Sequence, residues 1–132
     1  MYRNIFGCIA IIALLSSASC GNNEGSKSSK GASLPADHKY KVTFIELGSV
    51  NCVPCQMMQP VMKKVVEKYP TQVRIVFYDV WTEEGAPYAK IYNIRAIPTQ
   101  VFLDENNREY FRHEGFFQFE ELEKILQQKG VL

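Results

Sequence analysis

The chain of 132 residues has no segregated charge: fifteen Lys and Arg are interspersed with fourteen Asp and Glu, for a net charge of +1. The basic stripe by which a domain grips nucleic acid is therefore missing, and no nucleic-acid partner is expected. Histidine is scarce, at two residues, and the four cysteines contain a single close pair. Structural zinc takes four ligands, usually from two such pairs. His38 and His113 are not spaced as a ligand pair, so neither a metal nor any other cofactor is expected. The apolar run Ile5–Leu15 is about half of the roughly 20 residues that a spanning helix requires. Internal repeats are absent. What remains is an ordinary globular composition, 46% hydrophobic and 22% charged, with length for one domain.

The first residues have the layout of a secretory signal: Arg3, the short apolar run, then Ser16, Ser17, Ala18, Ser19 and Cys20. A permanent transmembrane helix is the alternative. The run Leu15-Ser-Ser-Ala-Ser-Cys20 resembles a bacterial lipoprotein box, although Ser17 stands where that family prefers a branched aliphatic residue. The resemblance implies cleavage before Cys20 and lipidation of its thiol; cleavage nearby with Cys20 left free is the other outcome. Several acyl chains hold a protein on a bilayer where one binds marginally. Residues 20–37 are rich in Gly, Ser, Asn and Lys without apolar periodicity. They read as a flexible tether with a typical span of roughly 20–25 Å. The expected organisation is a signal over residues 1–19, a tether over 20–37 and one folded domain over 38–132, held outside the cytoplasm on a membrane.

Cys8 falls within the signal and Cys20 at its end, which leaves Cys52 and Cys55 as C-x-x-C. So short a loop makes a poor structural staple. The spacing suits reversible redox chemistry, provided the pair opens a helix after a strand. The sequence around it meets that condition. Lys41–Leu47 is a β-branched, apolar run. After Gly48 and Ser49, residues from Gln56 to Tyr69 place Met57, Met58, Val61, Met62, Val65, Val66 and Tyr69 at helical spacing. Pro54 suits a first helical turn, and Pro60 inside the pattern predicts a kink. Val73–Val80 predicts a strand, Ala86–Asn93 a short helix and Thr99–Leu103 a strand. Asp104–Asn107 has turn chemistry. Arg108–His113 predicts an antiparallel strand, and Gln118–Lys129 a helix with Phe119, Leu122, Ile125 and Leu126 inward, ended by Gly130. The order β-α-β-α-β-β-α implies an α/β domain with a mixed sheet and helices on both faces.

Over about residues 40–130 the chain resembles the thioredoxin family. Glu46 is a carboxylate six residues before the first cysteine; Cys52-Val53-Pro54-Cys55 opens a helix; Pro60 follows eight residues after Cys52; Ile97-Pro98-Thr99 starts a strand; Gly115 follows the last hairpin. The resemblance implies a thioredoxin fold, a cis bond at Pro98, a partner peptide held by the backbone of Ile97, and open surface at Gly115. Val53 and Pro54 would lie beneath the partner and tune Cys52. The family's tryptophan before the first cysteine is Asn51 here, a second is Gly48, and the usual aspartate is Glu46. These departures resemble bacterial extracytoplasmic, membrane-anchored thioredoxin-like lipoproteins and the end domain of transmembrane thiol–disulfide interchange proteins.

Only a thiolate attacks a disulfide, and a helix N-terminus favours an anion. Cys52 is therefore the expected nucleophile, with a pKa lowered toward roughly 7. Cys55 is the expected resolving thiol, and Glu46 the acceptor of its proton, unless it merely points to solvent at a strand edge. Without a histidine between the cysteines, the resemblance favours a reductant, with service to cytochrome c maturation as one setting. Expected partners are protein thiols and disulfides and a membrane-embedded electron donor, for a monomer on a lipid anchor. The competing class is a non-catalytic adaptor or chaperone-like module of the same fold. Trp81, with Glu83 and Glu84, reads as loop packing with the border of the partner groove as the alternative, Phe116 and Phe117 as packing rather than partner contacts, Met57 and Met58 as core and rim or a soft docking surface, and His113 as an ordinary surface residue.

Overall fold

A computed structural model describes residues 39–132. The expectations for the signal over residues 1–19, for Cys20, for the tether and for His38 lie outside the described residues. Seven elements follow in order: β1 (Val42–Gly48), α1 (Val53–Lys68), β2 (Val73–Asp79), α2 (Ala86–Ile91), β3 (Thr99–Asp104), β4 (Glu109–Glu114) and α3 (Phe119–Gln127). Every element expected from the sequence is present, with most ends moved by one or two residues.

The sheet order is β2-β1-β3-β4. β1 and β2 run parallel, joined through α1, while β1–β3 and β3–β4 are antiparallel. The period of two along β1 divides its side chains between two cores. Val42 and Phe44 belong to the core beneath α1 and α3, with Met58, Val65, Phe102, Leu122 and Leu126. Ile45 and Leu47 face the other way, with Val101, Tyr78, Tyr88 and Tyr92, so α2 covers that face. Helices thus flank both faces, as the resemblance implies. β1 is buried on both sides, which is why it reads as a continuous apolar run.

Local chemistry sets the ends. In the β3–β4 turn, Asp104 Oδ1 accepts from the Asn106 and Arg108 backbone N–H groups at 2.9 and 3.1 Å. Asn107 takes a φ of 58°, a left-handed conformation that Asn tolerates. α3 carries Glu120 and Glu121 in its first turn, where the helix dipole favours them. Pro60 lies inside α1, which continues through it to Lys68. Two expectations need correction. Val66, placed with the apolar stripe, is exposed, because the face of α1 that meets the sheet is narrower than its apolar content, whereas Met58 is buried and Met57 exposed, as core and rim. Trp81 is 62% exposed and Phe116 is exposed as well, so neither is a buried packing residue.

Candidate active site

The site forms where β1 ends and α1 begins. β1 ends at Gly48, which with the next residue Ser49 is buried, and the loop then surfaces at Val50 and Asn51. Three ties hold this loop. Asp79, at the end of β2, accepts from the Val50 N–H through Oδ2 and from the Trp81 N–H through Oδ1, each at 3.1 Å. The Val80 N–H donates to the Gly48 carbonyl at 2.9 Å, and the Gln56 amide donates to the Val50 carbonyl at 2.8 Å. The Val50 and Trp81 N–H groups hold the Asp79 carboxyl below its ordinary range.

Cys52 is the N-cap of α1, and its Sγ accepts from the Cys55 N–H at 3.4 Å. The first turn contains no acidic residue, so nothing there opposes a negative charge on sulfur. Pro54 sits where its missing N–H costs nothing. Cys52 and Cys55 are joined as a disulfide, with Cα atoms 5.2 Å apart. Cys52 is 7% exposed and Cys55 1%, so the second sulfur is the more enclosed. Val53 is 69% exposed beside them.

Glu46 lies in the sheet on the same face as Phe44, beneath α1, and is fully buried. It is not at a strand edge, because β1 is interior. A methyl placed on Gly48 would lie 3.2 Å from Cys55 Sγ and 3.6 Å from Glu46 Oε1. Thiol and carboxyl therefore face the same point, and Gly48 is what keeps that point open. Burial pushes the Glu46 carboxyl up to about 8, with the neighbouring Gln100 amide acting in the opposite direction.

The Ile97–Pro98 bond is cis. Continuing the Leu47–Thr99 register by one residue sets Pro98 beside Gly48. No hydrogen bond among the described residues engages the Ile97 backbone. Trp81 and Ile97 border an open cavity of about 340 Å³ with Val80, Ile94, Arg95 and Ala96. Gly115 donates its N–H to the Pro98 carbonyl at 2.7 Å and has a φ of 93°. A side chain there would meet open space, so backbone conformation, as well as surface access, calls for glycine.

The structure thus brings Cys55, bonded to Cys52, and Glu46 to one point, carries Val53 and Pro54 between the two cysteines on the first turn of α1, and sets Pro98 next to Gly48. Three participants escaped the sequence reading. Gly48 registered only as a missing tryptophan. Asp79 registered only as a position inside the strand expected over Val73–Val80. Gln100, fully buried opposite Glu46, left as its signal only a polar residue inside an apolar strand. His113 also differs from expectation: half-buried, it stacks on buried Phe117 with ring centroids 4.2 Å apart.

A family model for the thioredoxin-like domain matches residues 31–130. The Arabidopsis thaliana protein named "Putative thioredoxin H10" is 26% identical over 119 residues, covering 80% of this chain and 75% of that one. Among solved structures, oxidized mitochondrial thioredoxin 3 from Saccharomyces cerevisiae aligns with a TM-score of 0.58 at 30% identity, over 69% of this chain and 81% of that one. A mutant thioredoxin from Halobacterium salinarum NRC-1 aligns with a TM-score of 0.62 at 23% identity, over 72% of this chain and 80% of that one, and shows the fold alone. With a cysteine pair at disulfide distance on the first turn of α1, the chain belongs to the thioredoxin-like domain family and is a thiol–disulfide oxidoreductase.

Proposed function

We propose that the protein reduces disulfides of other proteins outside the cytoplasm, anchored to a membrane through Cys20. The observation that carries the chemistry is the convergence of Cys55 and buried Glu46 on one point beneath the N-terminus of α1.

In the reduced protein the Cys52 sulfur anion is favoured by the unpaired N–H groups and dipole of α1. It attacks one sulfur of the partner's disulfide. A Cys52–partner disulfide forms, and the partner's other sulfur leaves as a thiolate that takes a proton from water. Cys55 then gives its proton to Glu46, directly or through one water, and its thiolate attacks Cys52 Sγ. The Cys52–Cys55 bond forms, the mixed disulfide breaks, and the partner's second sulfur leaves. The partner gains two electrons and the protein loses two. Exposed Val53, the unengaged Ile97 backbone and the cavity beside Trp81 support an extended peptide lying over the site.

The lack of a histidine between the cysteines supports a reducing direction, toward the thioredoxin end of the family's range of about −270 to −120 mV. A membrane-embedded donor would regenerate the dithiol, and cytochrome c maturation is a setting that uses such reductants. The leader, the lipoprotein-like box at Cys20 and the Gly/Ser-rich segment support the anchored location.

Insulin reduction tests the activity. Wild type is expected to catalyse it, and Cys52→Ser and Cys55→Ser each to abolish it; an inert wild type would sink the proposal. A measured potential more positive than about −180 mV would overturn the reducing direction. Incorporation of labelled fatty acid in a bacterial host, lost in Cys20→Ala, tests the anchor; no incorporation into wild type refutes it.

A further inference from the structure

Four buried polar side-chain atoms lack a hydrogen-bond partner among the described residues: both carboxyl oxygens of Glu46, and Oε1 and Nε2 of Gln100. The two residues are directly opposed across β1 and β3, and neither has any exposed surface. One orphaned buried group is unusual, and two in register answer each other. A carboxyl and a primary amide are complementary in both charge states. Neutral Glu46 can donate its O–H to Gln100 Oε1; ionised Glu46 can accept from Gln100 Nε2. Passing from one to the other requires only that the amide turn over about its last bond.

We propose that Gln100 is a positioning residue for the redox reaction: it holds Glu46 toward Cys55 and turns its amide over as Glu46 takes up and releases the Cys55 proton. This rests on Glu46 as the acceptor of that proton.

The surroundings offer Glu46 no better partner. β2 presents Phe77 beside it, and α1 presents Cys55 across the space above Gly48. One strand beyond Gln100 in the same cross-strand row stands His113. Its ring is committed to Phe117, and its Nε2 lies 3.2 Å from the Phe116 carbonyl oxygen. No hydrogen bond joins His113 to Gln100. The titratable group facing Glu46 is therefore Cys55, with His113 one strand beyond the amide. Gln100 favours the ionised carboxyl, against the effect of burial. An apolar residue at position 100 would bury Glu46 equally well and could answer neither of its charge states.

The test uses the full-length oxidised chain for titration and the mixed disulfide for kinetics. In Gln100→Met, which keeps bulk and removes the amide, the NMR-detected midpoint of the Glu46 carboxyl is expected to rise by about one pH unit. Release of the mixed disulfide should slow about tenfold at pH 7 and recover in alkali. A midpoint equal to wild type overturns the inference. Should that variant not fold, wild type suffices: the Gln100 side-chain amide resonances should move with the Glu46 midpoint, and resonances that stay fixed through that titration overturn the inference. If the Gln100→Met midpoint rises while release keeps the wild-type pH profile, Glu46 as proton acceptor fails, and with it the positioning role, while the pairing of Gln100 with Glu46 stands.

Discussion

Replacing Glu46 by glutamine should stabilise the oxidised protein in alkali and leave it unchanged in acid. Glu46 is fully buried, and desolvation pushes its carboxyl from 4.5 up to about 8. Between those values the unfolded chain has released the proton and the folded chain keeps it. The folded state thus binds one proton more, and its stability falls as pH rises, by about 1.4 kcal/mol per pH unit. The contribution is fully present below pH 4.5 and gone above about 8. The whole interval corresponds to about 5 kcal/mol. Relaxation and water entry on ionisation leave several kcal/mol per buried ion, so about 3–5 kcal/mol is expected, a large share of a domain's usual stability. Glu46→Gln keeps the shape and cannot ionise. Urea unfolding of both oxidised proteins at pH 4.5, 7 and 9 is the assay, since the disulfide removes thiol titration from the comparison. The carboxylates whose pKa values are lowered, Asp79, Asp104, Glu109, Glu120 and Glu123, contribute alike to both proteins and cancel. Stability curves that run parallel from pH 4.5 to 9 would refute the assignment of a buried, neutral Glu46.

Gly48→Ala puts a methyl 3.2 Å from both Cβ and Sγ of Cys55; a loss of about 1–3 kcal/mol in urea unfolding is expected, with slower release of the mixed disulfide, and wild-type values for both would contradict the tight approach. Gly85→Ala drives its methyl into the Asp79 carbonyl oxygen, a clash with backbone that only a main-chain shift relieves. It should cost at least about 2 kcal/mol, read by thermal unfolding, and a neutral result would show that this turn is built differently. Asp79→Ala removes the acceptor for the Val50 and Trp81 N–H groups, so those two amides should exchange with deuterium faster while the α3 amides do not; equal protection at both would mean the loop is held by other means. Leu126→Ala, at a fully buried position on the inner face of α3, should cost about 2–5 kcal/mol by urea unfolding without changing the pH profile of mixed-disulfide release.

Local signals located the elements: β-branched runs for β1 and β2, a 3.6-residue stripe for α1 and α3, and Asp-Glu-Asn-Asn for the β3–β4 turn. The pair Cys52–Cys55 was legible for the same reason, since its chemistry depends on a spacing and on the helix that follows. Reading Glu46 as buried was harder. Its neighbours in sequence are apolar, but an edge strand with the same residues would leave it wet. Only the order β2-β1-β3-β4, which puts β1 inside the sheet, decides that. The exposure of Trp81 and Val66 was not legible, because apolar character does not say which face of an element finds a neighbour.

Fold class and redox pair were thus fixed by residue order, through patterns that act over a few positions along the chain. Tertiary structure alone set Gln100 against Glu46, Asp79 beneath the Val50 loop, and the bare backbone of Gly48 between thiol and carboxyl. Such contacts join residues that are mostly tens of positions apart, and the desolvation that perturbs Glu46 comes from strands and a helix closing over it. That environment is a property of the assembled sheet, with no counterpart in any short stretch of sequence.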